Sequence, residues 1–401
     1  MCKILLLVGV EPAAFGRGDE LRTALGDTWR VEAAANAARA LALLGRLPVG
    51  AVVCRPRLTD GPGDQLLDTI LQRHPGVHRF LLADLTDRKA VGRCLGTAHL
   101  FLAEPCDAGR LRAALDRIEK LDLLFAHEAA RTLVGQMERL PSPPATYFQI
   151  VRELQSPTAS VERLGGLLAQ DPPAAAKLLQ VANSAALGLP REVTDPADAV
   201  LCLGFETTKS LVLLAHTYSH FDRVQAGDFS VEGWCRHSLG TARAAQAIAR
   251  AEGVEPEVAS ECYTAGLLHD LGSLLLAANR SDQFIHARRL ARAERVPVWQ
   301  AEQSVFGTTH AEVGAWLALM WGLPPGLVEA VALHHLPARL TRRQFSPLTA
   351  VHVANLFDHL QHQDKSDFLT PDAPYLAELG LNDRLEAWSE AAGVQSSLLR
   401  P

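Results

Sequence analysis

Apolar positions follow two different periods along this chain. In residues 1–120, short apolar runs alternate with helical patterns. Lys3–Val8 reads KILLLV, a nearly continuous apolar run of the kind that forms a strand buried on both faces. The same reading predicts strands at 30–33, 51–54, 79–83 and 99–103. Segments 18–26, 37–47, 64–73, 88–95 and 108–121 carry the helical period. Five strand–helix pairs in about 120 residues predict an α/β domain: a (βα)5 doubly wound parallel sheet with helices on both faces.

From Leu111 the helical period continues through Leu124 to Leu140 without a Gly-Pro break. This predicts a long helix or a helix pair, serving either as a homodimer seam or as ordinary packing. Leu140-Pro141-Ser142-Pro143-Pro144 then marks a boundary. From 145 onward the pattern is helical, with Gly and Pro punctuation and no strand alternation. The expected organisation is a domain over 1–120, a helical linker over 121–140, an all-α bundle over 141–340 and a helical extension over 341–401. Short packing helices are expected in the tail.

Composition narrows the function classes. Hydrophobic residues at 48% and charged residues at 21% fit a globular protein with ample core. The net charge of -6 and the lack of a basic helix or arm argue against direct DNA binding. Seven scattered cysteines without a CxxC read as reduced thiols. The opening MCKILLLVGVEP is too short in apolar residues for a signal peptide, and no segment reaches about 18 apolar residues in a row. A cytoplasmic protein with no membrane association is expected.

The candidate chemistry lies in the second half. His237, His269-Asp270, His310 and His334-His335 each fall in a helical segment. Dispersed histidines with one His-Asp pair are how a helical bundle gathers metal ligands onto an interior wall. His216 and His220 have i, i+4 spacing but no third partner, which favours a core or surface role. His359 and His362, beside Asp358, read as solvated. Asn183 sits on an apolar helix, where it needs backbone partners from a neighbouring helix.

Residues 1–120 resemble the receiver domain of two-component response regulators. That resemblance implies a phosphoacceptor Asp after the third strand, two acids after the first, a hydroxyl after the fourth and a Lys after the fifth. In LLLVGVEP the acid-pair positions are Gly9 and Val10, with only Glu11 kept. The phosphoacceptor position in VVCRPRLTDGPG is Arg55. The hydroxyl position in FLLADLTD is Ala83, and the Lys position in FLAEPCD is Glu104. The implication is a pseudo-receiver that cannot take a phosphoryl group by the usual route. An Arg55–Glu104 ion pair would fit the old site. Asp60 and Asp84 would need a loop shift to replace the lost acids.

Residues from about 140 resemble the HDOD domain, an HD-related output domain of bacterial signalling proteins. LLAQDPPAAAKLLQVANSAALGLP carries the resemblance most strongly, and WCRHSL, AGLLHDLG, FGTTHAEVGAWLALMWGLPPGLVEAVALHH and VHVANLFDH continue it. The HD-like part runs over about 230–360. The HD resemblance implies metal ligands at His237, His269, Asp270, His310 and His334 or His335, with His335 taken for the set. The last acid falls on Asn355, with Asp358 one turn on. Ser273 stands where HD enzymes often have a general-acid Lys, and the GYP portion is absent. A divalent ion (Fe, Mn, Zn or Ni) is the cofactor such a site would take.

Two functions follow from these resemblances. One is a non-catalytic regulator that binds signalling proteins or a nucleotide messenger such as a cyclic dinucleotide. The other is a metal-dependent phosphohydrolase acting on a nucleotide or cyclic dinucleotide.

Overall fold

The computed structural model describes the chain apart from residues 1–2, 18, 75, 84–97, 99, 125–127, 138–140, 142–144, 155, 157, 172–174, 177, 180–182, 184–192, 222–223, 322, 341–343, 362–369 and 395–401. It divides into two compact units. One is residues 1–126 with 134–142 and 319–323; the other is residues 127–133, 143–318 and 324–401.

In the first unit, β1 (Lys3–Val8), β2 (Trp29–Ala34), β3 (Val49–Cys54), β4 (His78–Ala83) and β5 (Leu100–Ala103) form one parallel sheet. The strand order is β2-β1-β3-β4-β5. This is the flavodoxin-like doubly wound order, whose switch point lies beyond the ends of β1 and β3. Leu5, Leu6, Leu7 and Val8 are all fully buried, as a strand covered on both faces requires. Helices α1 (Glu20–Leu25) and α4 (Ala108–Leu124) pack together, and α2 (Ala37–Leu44) packs with α3 (Gly63–Arg73). Ile4, Leu6 and Val8 meet Ala40, Leu44, Leu67 and Ile70 of α2 and α3 in one core. The predicted helix at 88–95 lies outside the described residues.

The loop after β3 is more ordered than its Gly-Pro composition suggested. Arg57–Leu58 and Gly61–Pro62 form a small antiparallel ribbon. The ribbon places the Asp60 carboxylate on the start of α2, where its two oxygens accept the N–H groups of Ala37 and Ala38 at 3.0 Å each. Those bonds hold the Asp60 carboxyl below its usual range. The Asp60 carboxylate is thus engaged at a helix start; Asp84 lies outside the described residues.

The apolar run over 111–140 is a helix pair, α4 followed by α5 (Glu128–Gly135). The second unit then holds α6 (Ala145–Leu154), α7 (Val161–Ala169), α8 (Pro196–Leu203), α9 (Phe205–Phe221), α10 (Val231–Ala251), α11 (Pro256–Leu268) and α12 (Leu271–Asn279). These are followed by α13 (Ser281–Glu294), α14 (Val298–Phe306), α15 (His310–Met320), α16 (Pro325–Leu333), α17 (Pro347–Gln361), α18 (Ala373–Glu378) and α19 (Leu385–Ala391). The expectation of no strand here needs correction. Gln225–Ala226 pairs with Phe229–Ser230 across a Gly227-Asp228 turn, with Gly227 at φ +66°. Gly-Asp between apolar residues is a recognised hairpin signal. Asn183 binds backbone as expected, but its partner is Val193, which lies outside any helix. It donates to the Val193 carbonyl (2.7 Å) and accepts from the Val193 N–H (2.8 Å).

Helix α17 is the centre of this unit, packing on α10, α11 and α16. Every residue from Pro347 to Asp358 is buried. Three of these are strongly polar: His352, Asn355 and Asp358, at i, i+3 and i+6 on one stripe. A helix this apolar on its other faces aims that stripe inward. No helix among the described residues is long and apolar enough to cross a membrane.

Candidate metal centre

Glycines let the helices that carry the candidate ligands approach closely. At Gly266 of α11 a Cβ would stand 2.8 Å from the Ala242 Cα of α10. At Gly272 of α12 it would overlap the His310 carbonyl, and at Gly240 of α10 it would overlap the Asp358 carboxylate. Each helix-interior glycine costs about 1 kcal/mol relative to Ala. Together they bring α10, the α11–α12 junction, α15 and α17 around one point.

At that point the candidate residues are oriented by oxygen acceptors. His269 Nδ1 donates to the Gly266 carbonyl, and His334 Nδ1 to the Val331 carbonyl, each at 2.8 Å. His237 Nδ1 donates to Asp358 Oδ2 at 2.8 Å, and His310 Nδ1 to Glu302 Oε2 at 2.6 Å. A carbonyl or carboxylate only accepts, so each Nδ1 carries the proton and each Nε2 of a neutral ring presents a lone pair. These nitrogens face one another. His237 Nε2 lies 3.1 Å from His269 Nε2, and His310 Nε2 lies 2.9 Å from His335 Nε2. Asp270 Oδ1 is 3.2 Å from His310 Nε2. His334 Nε2 is buried with no protein partner among the described residues.

A proton or a metal cation has to stand between acceptors held this close. Burial disfavours the proton. It pushes the His269 imidazole down to about 3, helped by the neighbouring His237. It pushes His334 and His335 well below their ordinary value, helped by the surrounding histidines. Burial raises the Asp270 carboxyl, but His310, His269, His237 and His334 outweigh it and hold Asp270 below its usual range. Neutral imidazole Nε2 atoms with Nδ1 tied to oxygen, plus one carboxylate, are a donor set for Zn, Fe, Mn or Ni. Two groups have donor atoms within 4.8 Å of one another: His237, His269 and Asp270, and His310, His334 and His335. The residues fit one or two divalent ions.

The remaining positions have distinct roles. Ser273 donates to Asp270 Oδ1 at 2.9 Å, so it braces that carboxylate. Asp358 does turn toward the cluster, but it supports His237 from the Nδ1 side. Asn355 is buried, and its Oδ1 has no protein partner among the described residues. His359 is half-buried: its ring lies 4.6 Å from the His237 ring and lines the open cavity over the cluster. His362 lies outside the described residues. Sequence reasoning also missed Glu302, a fully buried acid behind His310, because an acid eight residues before a histidine has no recognisable pattern. His334 and His335 are alternatives by sequence, yet both rings enter the same group.

A cavity of about 260 Å³ opens over the cluster, bordered by Trp234, Arg236, Arg288 and Trp299. Arg288 (3.2 Å) and Arg292 both pair with Asp228 in the hairpin turn. Burial raises the Asp228 carboxyl, but the two guanidiniums outweigh it and bring it down to about 2. A second cavity of about 210 Å³ lies beside His334, His335 and Asn355.

In the first unit, Gly9, Val10 and Glu11 follow β1, Arg55 follows β3, Ala83 ends β4 and Glu104 follows β5. The Arg55 guanidinium donates to Glu104 at 2.7 Å. Gly9 has φ +65°, and a Cβ there would stand 2.7 Å from Leu58. The residues at these strand ends do not fit a Mg²⁺ site. Both metal-capable groups among the described residues lie in the second unit.

Residues 140–337 match the family model for the HDOD domain. This segment is an HDOD domain. The chain is 24% identical over 206 residues to an uncharacterised protein of Treponema pallidum (strain Nichols), covering 51% of this chain and 39% of that protein. It thus spans about two-fifths of that relative. A solved HDOD domain protein of unknown function from Geobacter sulfurreducens superposes with a TM-score of 0.56 at 23% identity, over 70% of this chain and 97% of that one. A Marinobacter aquaeolei VT8 protein named for signal transduction gives 0.50 at 20% identity, over 72% and 66%. These likenesses establish the fold. The HDOD match ends at Pro337, so Asn355, Asp358 and His359 on α17 complete the cluster from beyond it.

Proposed function

We propose that the protein is a signalling regulator whose HDOD domain, completed by α17, holds one or two divalent ions and works by binding a partner or nucleotide messenger. The observation that carries this reading is the pair of facing Nε2 contacts, His237–His269 and His310–His335, in a buried site. His237, His269 and Asp270 would hold one ion, and His310, His334 and His335 a second. Such an ion supplies a Lewis acid for a phosphoryl or carboxyl oxygen of a ligand. The chain's own residues orient the ligands from behind, and burial keeps His269, His334 and His335 unprotonated. Asn355 and Ser273, at positions where the HD resemblance implies an acid and a Lys, favour binding over turnover. The Marinobacter protein's name points toward signalling as well.

We read the first unit as a pseudo-receiver. The strand order supports it, and so do the losses at Gly9, Val10, Arg55, Ala83 and Glu104. Signalling proteins are the expected partners.

A phosphohydrolase acting on a nucleotide or cyclic dinucleotide is the second reading. The 260 Å³ cavity that reaches both ligand groups favours it. Elemental analysis of protein purified without chelator, beside a His269→Ala/Asp270→Ala variant, tests the metal. One or two equivalents, lost in the variant, support the site; a metal-free wild type sinks it. Phosphodiesterase assays on the loaded protein then separate the two readings.

A further inference from the structure

The His334–His335 turn is gripped from behind by a third histidine. His352 of α17 is buried, and its Nδ1–H donates to the His334 carbonyl at 2.7 Å. That carbonyl belongs to the peptide joining the two ligand residues. The other ring nitrogen, Nε2, accepts the backbone N–H of Asp372 at 2.9 Å. A carbonyl accepts and an amide donates, so one neutral tautomer satisfies both contacts. Burial, the leading influence on His352, favours that neutral form.

Asp372 begins the C-terminal segment, and its side chain accepts the Tyr375 N–H at 3.0 Å, capping α18. The Tyr375 hydroxyl bonds Thr349 Oγ1 at 2.7 Å, and Thr349 lies one turn before His352 on α17. The segment is therefore fastened to α17 at two points, one of which continues directly into the ligand turn. Thr370, Pro371 and Asp372 also line the 210 Å³ cavity, together with His334, His335 and Asn355. His352, Asp372 and Tyr375 lie beyond residue 337, where the HDOD match stops, and the His334 carbonyl that His352 holds lies within it.

We propose that His352 is a positioning residue for the His310/His334/His335 half of the metal centre, and that the segment from Thr370 to Tyr375 controls that half through it. The inference rests on the metal-binding reading. Groups that orient metal-ligating residues typically contribute a factor of about 10–100 in metal affinity. His352 acts on a ligand's backbone, so its effect falls on the geometry of both His334 and His335.

The test is competitive Zn²⁺ titration of the full chain against a chromophoric chelator, with thermal melts as a folding control. His352→Phe keeps an aromatic ring and removes both contacts; it weakens one bound ion about tenfold or more. His352→Gln, whose amide can donate to the carbonyl and accept from the N–H, restores most of that affinity. Thr349→Val loosens the segment while leaving His352 in place, and it shifts affinity in the same direction by a smaller factor. A folded His352→Phe protein with wild-type affinity overturns the inference. If that variant does not fold, Thr349→Val decides, and unchanged affinity there overturns it. A wild type that binds no Zn²⁺ overturns the metal reading itself, whereas binding that ignores all three variants overturns only the role of His352.

Discussion

The Asp358 carboxylate holds Nδ1 of His237 at 2.8 Å, leaving Nε2 to face His269. An acid 121 residues away in the chain thus fixes both the tautomer and the ring direction of a candidate ligand. Asp358→Asn keeps the shape and removes the charge. It lowers the affinity of the His237/His269/Asp270 group about 10–100-fold without abolishing it. Competition titration with Mn²⁺ or Zn²⁺ checks this; an unchanged affinity shows that the pair is only structural.

The glycine seams make a prediction that couples stability to the site. Gly272→Ala drives a methyl group into the His310 carbonyl and forces α12 and α15 apart. Overpacking of this kind costs about 1–3 kcal/mol. It also separates Asp270 from His310, so bound metal falls together with the urea midpoint. A variant that loses stability but keeps its metal contradicts the role given to this seam.

Stability of the metal-free protein rises with pH across the histidine range. The folded values of His269, His334, His335 and His352 lie below the unfolded value near 6.5, with His269 at about 3. Between those values the unfolded chain binds more protons. Stability is therefore fully present above about pH 6.5 and is lost as pH falls toward 3. Each such group contributes up to about 1.4 kcal/mol per pH unit within its window. Urea midpoints measured from pH 7 to 5 fall steadily, and His269→Ala makes the slope shallower. A flat profile means that the rings are already protonated or exposed.

On the pseudo-receiver reading of the first unit, introducing one acid at Arg55 does not confer phosphoryl transfer. Arg55→Asp leaves Gly9 at φ +65° under Leu58, Ala83 without a hydroxyl, and Asp60 engaged at the start of α2. The variant stays unmodified by acetyl phosphate on a phosphate-affinity gel. Because Arg55 and Glu104 are 45% and 34% exposed, losing their pair changes stability by no more than about 1 kcal/mol. A shifted band on the gel contradicts the pseudo-receiver reading.

The sheet was legible because a strand buried on both faces has to be apolar throughout, and Lys3–Val8 is. The gathering of the dispersed histidines was legible because they fall in separate helical segments together with one His-Asp pair, the pattern by which a bundle brings such side chains onto one interior wall. Glu302, His352 and His359 were not, because their importance comes from contacts between helices far apart in sequence. The role of Asp358 was half legible. Its turn was readable from i, i+3 spacing, but which nitrogen of which ring it meets depends on how α10 crosses α17. The Gly227-Asp228 hairpin was readable and was masked by the helical pattern on either side. Gly240, Gly266 and Gly272 read as helix weaknesses until the neighbouring helix is in place.

The most direct measurement is anomalous diffraction at the metal edges, on crystals of protein purified without chelator. The account predicts one or two peaks among the Nε2 atoms of His237, His269, His310, His334 and His335, with Asp270 alongside. Crystals with no peak there, and protons bridging the facing nitrogens instead, would contradict it.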